Sequence, residues 1–442
     1  MRDRNIQWLY RELPQWVSKN VITEENAAKI QQYYGPVEET NRLRLALAIF
    51  GTLGAVLISS GIILVFAKNW ENLSIPVRTI LSLIPLILGQ LLVGWVIVRD
   101  KESLAWREGA GAFLFIAVGA SISLISQTYH LPGDAPQFVL TWMLLCIPIV
   151  YLLKVTLPAV FYVVGIVAWA GLTRGEEGYT FFYWFLLLII MGYFLNKFKH
   201  ERAAHSTLFL LWALGLSLCL SLGIVFEHQF PGLWIIAYSS YFALCILLGR
   251  TIFHEKEISW QNPLLFIGTL GSLILSFVLT YQFIWSRVGW KYFGHSYWIN
   301  TTNAFQDYVV AAVLLGGAAY VISRKLMTII KEREWIDLIF AALPMIAIIG
   351  FLLASFQWTR VSDLIFDAYL LILGIVVVTQ GLKRQHLGLA NGGLLIIAVL
   401  IVLRFFDSDL GFLEKGIAFI LVGSGFLLAN IIMVRRQRGG LR

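Results

Sequence analysis

Long apolar runs separated by short segments that are alternately rich and poor in Lys and Arg constrain this chain more than any other feature. A helix needs about 20 mostly apolar residues to cross a hydrocarbon core roughly 30 Å thick. Fourteen runs reach or approach that length, at 45–67, 79–98, 109–126, 136–152, 155–172, 180–196, 206–226, 233–248, 262–284, 307–323, 335–354, 364–378, 387–403 and 416–434. Several are short enough that periodicity does not separate a spanning helix from a re-entrant one.

Positive charge sets the parity, because cytoplasmic loops carry an excess of Lys and Arg. With the N-terminus inside, most of the 34 basic residues fall on one side. They include Arg99, Lys101 and Arg107, then Lys197, Lys199 and Arg202, then Arg324, Lys325, Lys331 and Arg333. The tail Arg435, Arg436, Arg438 and Arg442 joins them only if the number of spans is even. The expectation is an all-α integral membrane protein of about fourteen transmembrane helices, twelve to fourteen, with a short cytoplasmic N-terminal helical hairpin. Its parts are that segment at 1–44, five spans at 45–172, nine further spans at 173–434 and a basic cytoplasmic tail at 435–442.

Composition agrees, since 58% of the chain is hydrophobic and 14% charged. The net charge of +8 is dispersed over many short loops, which speaks for topology and against a nucleic-acid partner. Cys146, Cys219 and Cys245 each sit within an apolar run, with neither disulfide nor zinc spacing. No cofactor, metal or catalytic residue is expected. No cleavable signal is expected either, because the first apolar run begins only at Leu45, behind a charged segment.

Residues 1–44 read as two short helices. Ile6, Leu9, Tyr10, Leu13 and Trp16 share one face of the first, and Thr23 is an N-cap for the second, with Glu24 and Glu25 in its first turn. Helices this short hold no core alone, so they pack on each other and on the membrane surface or a protein partner.

Two groups of polar residues stand at the outer ends of spans. Lys68, Asn69 and Trp70 close the first, while Gln127, Tyr129, His130 and Asp134 close the third. If those helices are neighbours, the groups meet in one outer vestibule. His130 and Asp134, on either side of a Leu-Pro-Gly turn, are the most chemical pair in the chain and suit a proton relay or the orientation of a polar head group. An aromatic belt and a snorkelling lysine account for Trp70, Tyr129 and Lys68 equally well. The second group is Arg360, Asp363 and Asp367 before the twelfth span, with Arg404, Asp407 and Asp409 after the thirteenth. Asp363 and Asp367 share a helix face, and Asp367 lies below the boundary, where it needs either a salt bridge to Arg360 or Arg404 or a cavity. The loop at 285–306 mixes Trp285, Trp290, Tyr292 and Trp298 with Arg287, Lys291 and His295, which suits anchoring in the interface or contact with a lipid-linked head.

The same stretch resembles a family. Trp16 with Ile22-Thr23-Glu24-Glu25, then Phe66-Ala67-Lys68-Asn69-Trp70, Trp106-Arg107-Glu108, and Gln127-Thr128-Tyr129-His130 followed by Gly133-Asp134, Trp142 and Pro148 are similar to the bacterial membrane proteins grouped as domain of unknown function 2157. The resemblance covers roughly the first 150 residues. It implies a polytopic bacterial membrane protein and assigns no catalytic residue, while the charge pattern puts both termini on the cytoplasmic side of the inner membrane.

Small residues recur within the spans, as in Gly51, Ala55 and Ser59 or Gly392 and Gly393, and favour close helix packing. The quartet Gly51-Thr52-Leu53-Gly54 returns as Gly268-Thr269-Leu270-Gly271, which would mark a parallel repeat if its flanks followed it. No phosphate-binding Gly-Lys-Ser loop and no Gly-x-Ser-x-Gly elbow is present. Two readings lead. A transporter-like or flippase-like protein for a small solute or lipid-linked molecule explains many spans and short loops. A membrane enzyme acting on a lipid-linked substrate would use His130, Asp134, Arg287 and His295. An assembly or regulatory protein bound through residues 1–44 is a third.

Overall fold

The computed structural model describes residues 2–19, 21–34, 70–99, 103–173, 179–202, 204–225, 232–253, 260–290 and 301–407, with scattered positions between 413 and 427. The run at 45–67, most of that at 416–434, the tail at 435–442, the loop at 291–300, the Gly51–Gly54 quartet and Lys68, Asn69 and Asp409 lie outside the described residues. Every regular element among the described residues is helical. The chain forms two compact units, residues 1–80 and 81–442.

In the first unit, α1 (Arg2–Ser18) packs on α2 (Glu24–Tyr34). Leu13 is buried, and Val21 N–H closes the turn onto the Trp16 carbonyl at 2.9 Å. Thr23 caps α2 as its sequence predicts, its Oγ1 accepting the Asn26 N–H at 3.3 Å. A single-turn 3₁₀ helix at Trp70–Asn72 follows.

Next along the chain come α3 (Ile75–Val98), α4 (Leu104–Tyr129), α5 (Ala135–Leu153), α6 (Leu157–Leu172), α7 (Phe182–His200), α8 (His205–Val225) and α9 (Leu233–Phe253). Then come α10 (Pro263–Val278), the short α11 (Gln282–Trp285), α12 (Thr301–Lys331), α13 (Trp335–Ser355), α14 (Thr359–Lys383) and α15 (Leu387–Asp407). Ten helices among the described residues are long and apolar enough to cross a membrane, and α6 and α10 are shorter apolar helices. The run at 262–284 is not one helix. It breaks after Val278 because Trp285 folds back, its indole N–H donating to the Leu279 carbonyl at 2.7 Å and its ring packing 5.6 Å from that of Phe366.

Two large buried clusters and a small one, Leu247 with Ile329 and Ala341, hold the second unit. Of the large pair, one joins residues of α3 to α8, the other residues of α8 to α15. Trp184, Leu218 and Leu264 pack against both. α9 is the central helix, touching α8, α10, α12 and α13. Leu91, Leu188, Leu220, Val313, Met345 and Leu364 lie exposed around the outside, a distribution that water penalises and lipid does not.

Several charged groups near the helix ends are paired across the bundle. Glu108, just past the first turn of α4, accepts the backbone N–H groups of Thr156 at 2.6 Å and Leu157 at 2.7 Å, so its carboxylate caps α6. Arg250 of α9 pairs with Asp337 of α13 at 3.1 Å, and Arg384 pairs with Glu334. These groups gather at the end that carries the basic loops.

Candidate functional site

At the opposite end, the turn between α4 and α5 borders a partly polar recess between spans. α4 stops at Tyr129 because His130 takes the left-handed conformation, φ 50°, and the N–H of Leu131 returns to the Ser126 carbonyl at 3.0 Å. Pro132 and Gly133 carry the chain across. Asp134 then starts α5 as its N-cap, its Oδ1 accepting the Gln137 N–H at 2.8 Å.

Beneath this turn lies a cavity of about 600 Å³ between α3, α4 and α5. Leu83, Leu86, Ile122, Ile125 and Phe138 form its apolar wall, and Ser123, Ser126, Gln127, Asp134, Gln137 and Thr141 its polar one. Ser121, eight residues before Tyr129, lies about 12 Å deeper along the helix axis. Its hydroxyl donates to the Ser82 carbonyl at 2.7 Å and ties α4 to α3 at the cavity floor. Trp142 Nε1 donates to the Phe115 carbonyl at 2.7 Å and ties α5 to α4. That tie needs Gly119, since a Cβ there would lie 2.4 Å from the Trp142 ring.

The expected residues divide. Gln127 and Asp134 line the cavity. Tyr129 and His130 stand beside it and do not line it; the His130 Nδ1 is 2.9 Å from the Gln127 carbonyl. His130 and Asp134 are thus each held by a different backbone group. Trp70 belongs to the other unit, where its indole N–H is enclosed and meets no acceptor among the described residues. Ser123, Ser126, Gln137 and Thr141, which the sequence reading passed over, supply most of the polar wall.

The second group forms a clamp. Arg404 of α15 reaches Asp367 of α14 through Nε and Nη2, both at 3.0 Å, and Nη2 also donates to the Thr280 carbonyl at the end of α10. Asp363 is buried one turn away, its Oδ1 accepting the Leu364 N–H at 3.0 Å, while Arg360 is exposed. Asp407 ends α15. One arginine here joins three helices, so these residues are engaged in holding the bundle. A further groove of about 380 Å³ between α8, α9 and α10 is apolar; the Tyr238 hydroxyl and Trp212 indole at its edge already donate to backbone carbonyls, at 2.8 and 3.1 Å.

Residues 14–159 match the family described as predicted membrane protein (DUF2157). The similarity to that family covers this stretch alone. The whole cavity, from Leu83 to Thr141, falls within the DUF2157 match, and the Arg404 clamp falls outside it. Trp106, Arg107 and Glu108, a motif of the segment, include the carboxylate that caps α6. No curated protein and no solved structure matches the chain.

Proposed function

We propose that the DUF2157 segment binds the polar head of a lipid-like molecule in the cavity between α3, α4 and α5. In this reading the whole chain is a transporter-like or flippase-like handler of that molecule in the bacterial inner membrane. The observation that carries the reading is the cavity's two-sided wall. Its amide and carboxylate groups and Ser126 lie near the His130–Asp134 turn, and its leucines and isoleucines line the depth of the spans beside Ser121, Ser123 and Thr141, a mixed wall that suits an amphiphile with its head near the interface. The excess of Lys and Arg in the segments at the opposite end supports a cytoplasmic side there, and with it a cavity at the outer leaflet. The separate backbone partners of His130 and Asp134 favour binding over acid–base chemistry, because a relay needs the two within hydrogen-bond reach of a shared proton.

Photo-crosslinking in cells tests this directly. A benzophenone amino acid at Phe138, in the cavity wall, is expected to capture a discrete lipid species that the same probe at Leu88, exposed on α3 outside the cavity, does not enrich. Capture of the same bulk lipids at both positions would overturn the proposal.

A further inference from the structure

We infer that the head group this cavity selects is uncharged and rich in hydroxyls, such as a glycosyl or glyceryl head, and that it rejects a phosphate; the inference rests on the binding role proposed above. Among the described residues that line the cavity there is no Lys, Arg or His, and the single ionisable side chain is Asp134. A helix N-terminus ordinarily attracts anions, and that of α5 borders the cavity. Here Asp134 already occupies it, and Pro136 has no N–H to offer. The neighbouring C-terminus of α4 adds the negative end of its own dipole. A phosphate entering between the two would lose hydration and meet a carboxylate and carbonyl oxygens, with no cation among the described lining residues to offset either.

Donor and acceptor inventory separates the remaining heads. An ammonium only donates, and would leave the amide N–H groups of Gln127 and Gln137 without acceptors. Hydroxyl groups both donate and accept, which matches the mixed character of Ser123, Ser126, Gln127, Gln137 and Thr141. Asp134 keeps acceptor capacity after taking the Gln137 N–H, since a carboxylate offers about four lone-pair sites.

The test uses the full chain in nanodiscs and three spin-labelled lipids with identical acyl chains: a monoglucosyl diacylglycerol, a phosphatidic acid and an amine-headed diacylglycerol analogue. The glucosyl lipid is expected to be retained roughly tenfold more strongly than the phosphatidic acid, the ratio that one unit charge at close range produces in partly hydrated surroundings. Asp134→Asn keeps an N-cap and so leaves the α5 start intact, and it is expected to narrow that ratio. Gln137→Lys, which places a cation on an exposed position of the lining, is expected to reverse it. Equal or stronger retention of phosphatidic acid by the unaltered chain would overturn the charge argument and leave the binding role standing. Preference for the amine would overturn the hydroxyl assignment. Retention of none of the three above a protein-free nanodisc would overturn the inference together with the binding role beneath it.

Discussion

Glu108 and the serines of the cavity differ in how far their roles can be read from the residues alone. The Glu108 carboxylate caps α6 from 48 positions away, so no local pattern announces it. Glu108→Ala leaves two N–H groups without an acceptor and removes a negative charge from a helix N-terminus, at a cost of about 2–4 kcal/mol. The change should lower the midpoint of thermal unfolding in detergent, with Glu108→Gln, which keeps one acceptor oxygen, falling between it and the unaltered chain. An unchanged midpoint for Glu108→Ala would remove the cap from the account. Gln127 and Asp134 were legible as polar residues ending an apolar run, and both line the cavity. Ser121, Ser123, Ser126 and Thr141 were not, because a small hydroxyl can bond the carbonyl one turn back on its own helix and so barely interrupts hydropathy. Asp367 was legible as needing a partner or a cavity; the choice of Arg404 depends on how α14 and α15 pack.

The helices themselves were legible from hydropathy, and their turns were less so. Sequence reading looks for Gly or Pro at a reversal, yet five turns here use a non-glycine residue in the left-handed region: His130, Lys154, Arg333, Gln357 and Gln385. At four of them the next N–H returns five residues back, as with Trp358 to Leu353 at 2.9 Å and His386 to Gly381 at 2.9 Å, which is the Schellman closure usually made with Gly. Side chains with a Cβ resist that conformation, so Gln357→Gly is expected to stabilise the chain by about 1 kcal/mol, read as a higher unfolding midpoint in detergent. A lower midpoint would show that the Gln357 side chain contributes more than its backbone conformation costs. The small residues of the apolar runs act at this scale too. α14 and α15 approach so closely at Gly381 that a Cβ there would lie 2.4 Å from the Ala390 nitrogen.

Across the whole molecule, short turns between the helices bring the basic loops of the second unit to one end and the His130–Asp134 and Gln357 turns to the other. The proposed sidedness rests on the positive-inside bias and is open to direct labelling. With Cys146, Cys219 and Cys245 replaced, single cysteines at His130 and Gln357 should react with an impermeant maleimide in intact cells. Those at Lys154 and Gln385 should react only after permeabilisation. The reverse pattern would invert the topology and put the cavity on the cytoplasmic side. A structure of the chain in nanodiscs of its native lipids bears most directly on the binding role of the cavity. The account predicts elongated density between α3, α4 and α5, with its polar end beside Gln127 and Asp134 and its apolar end along Leu83, Leu86 and Ile122. A cavity holding only water, or one closed by repacking of α3 against α5, would contradict it.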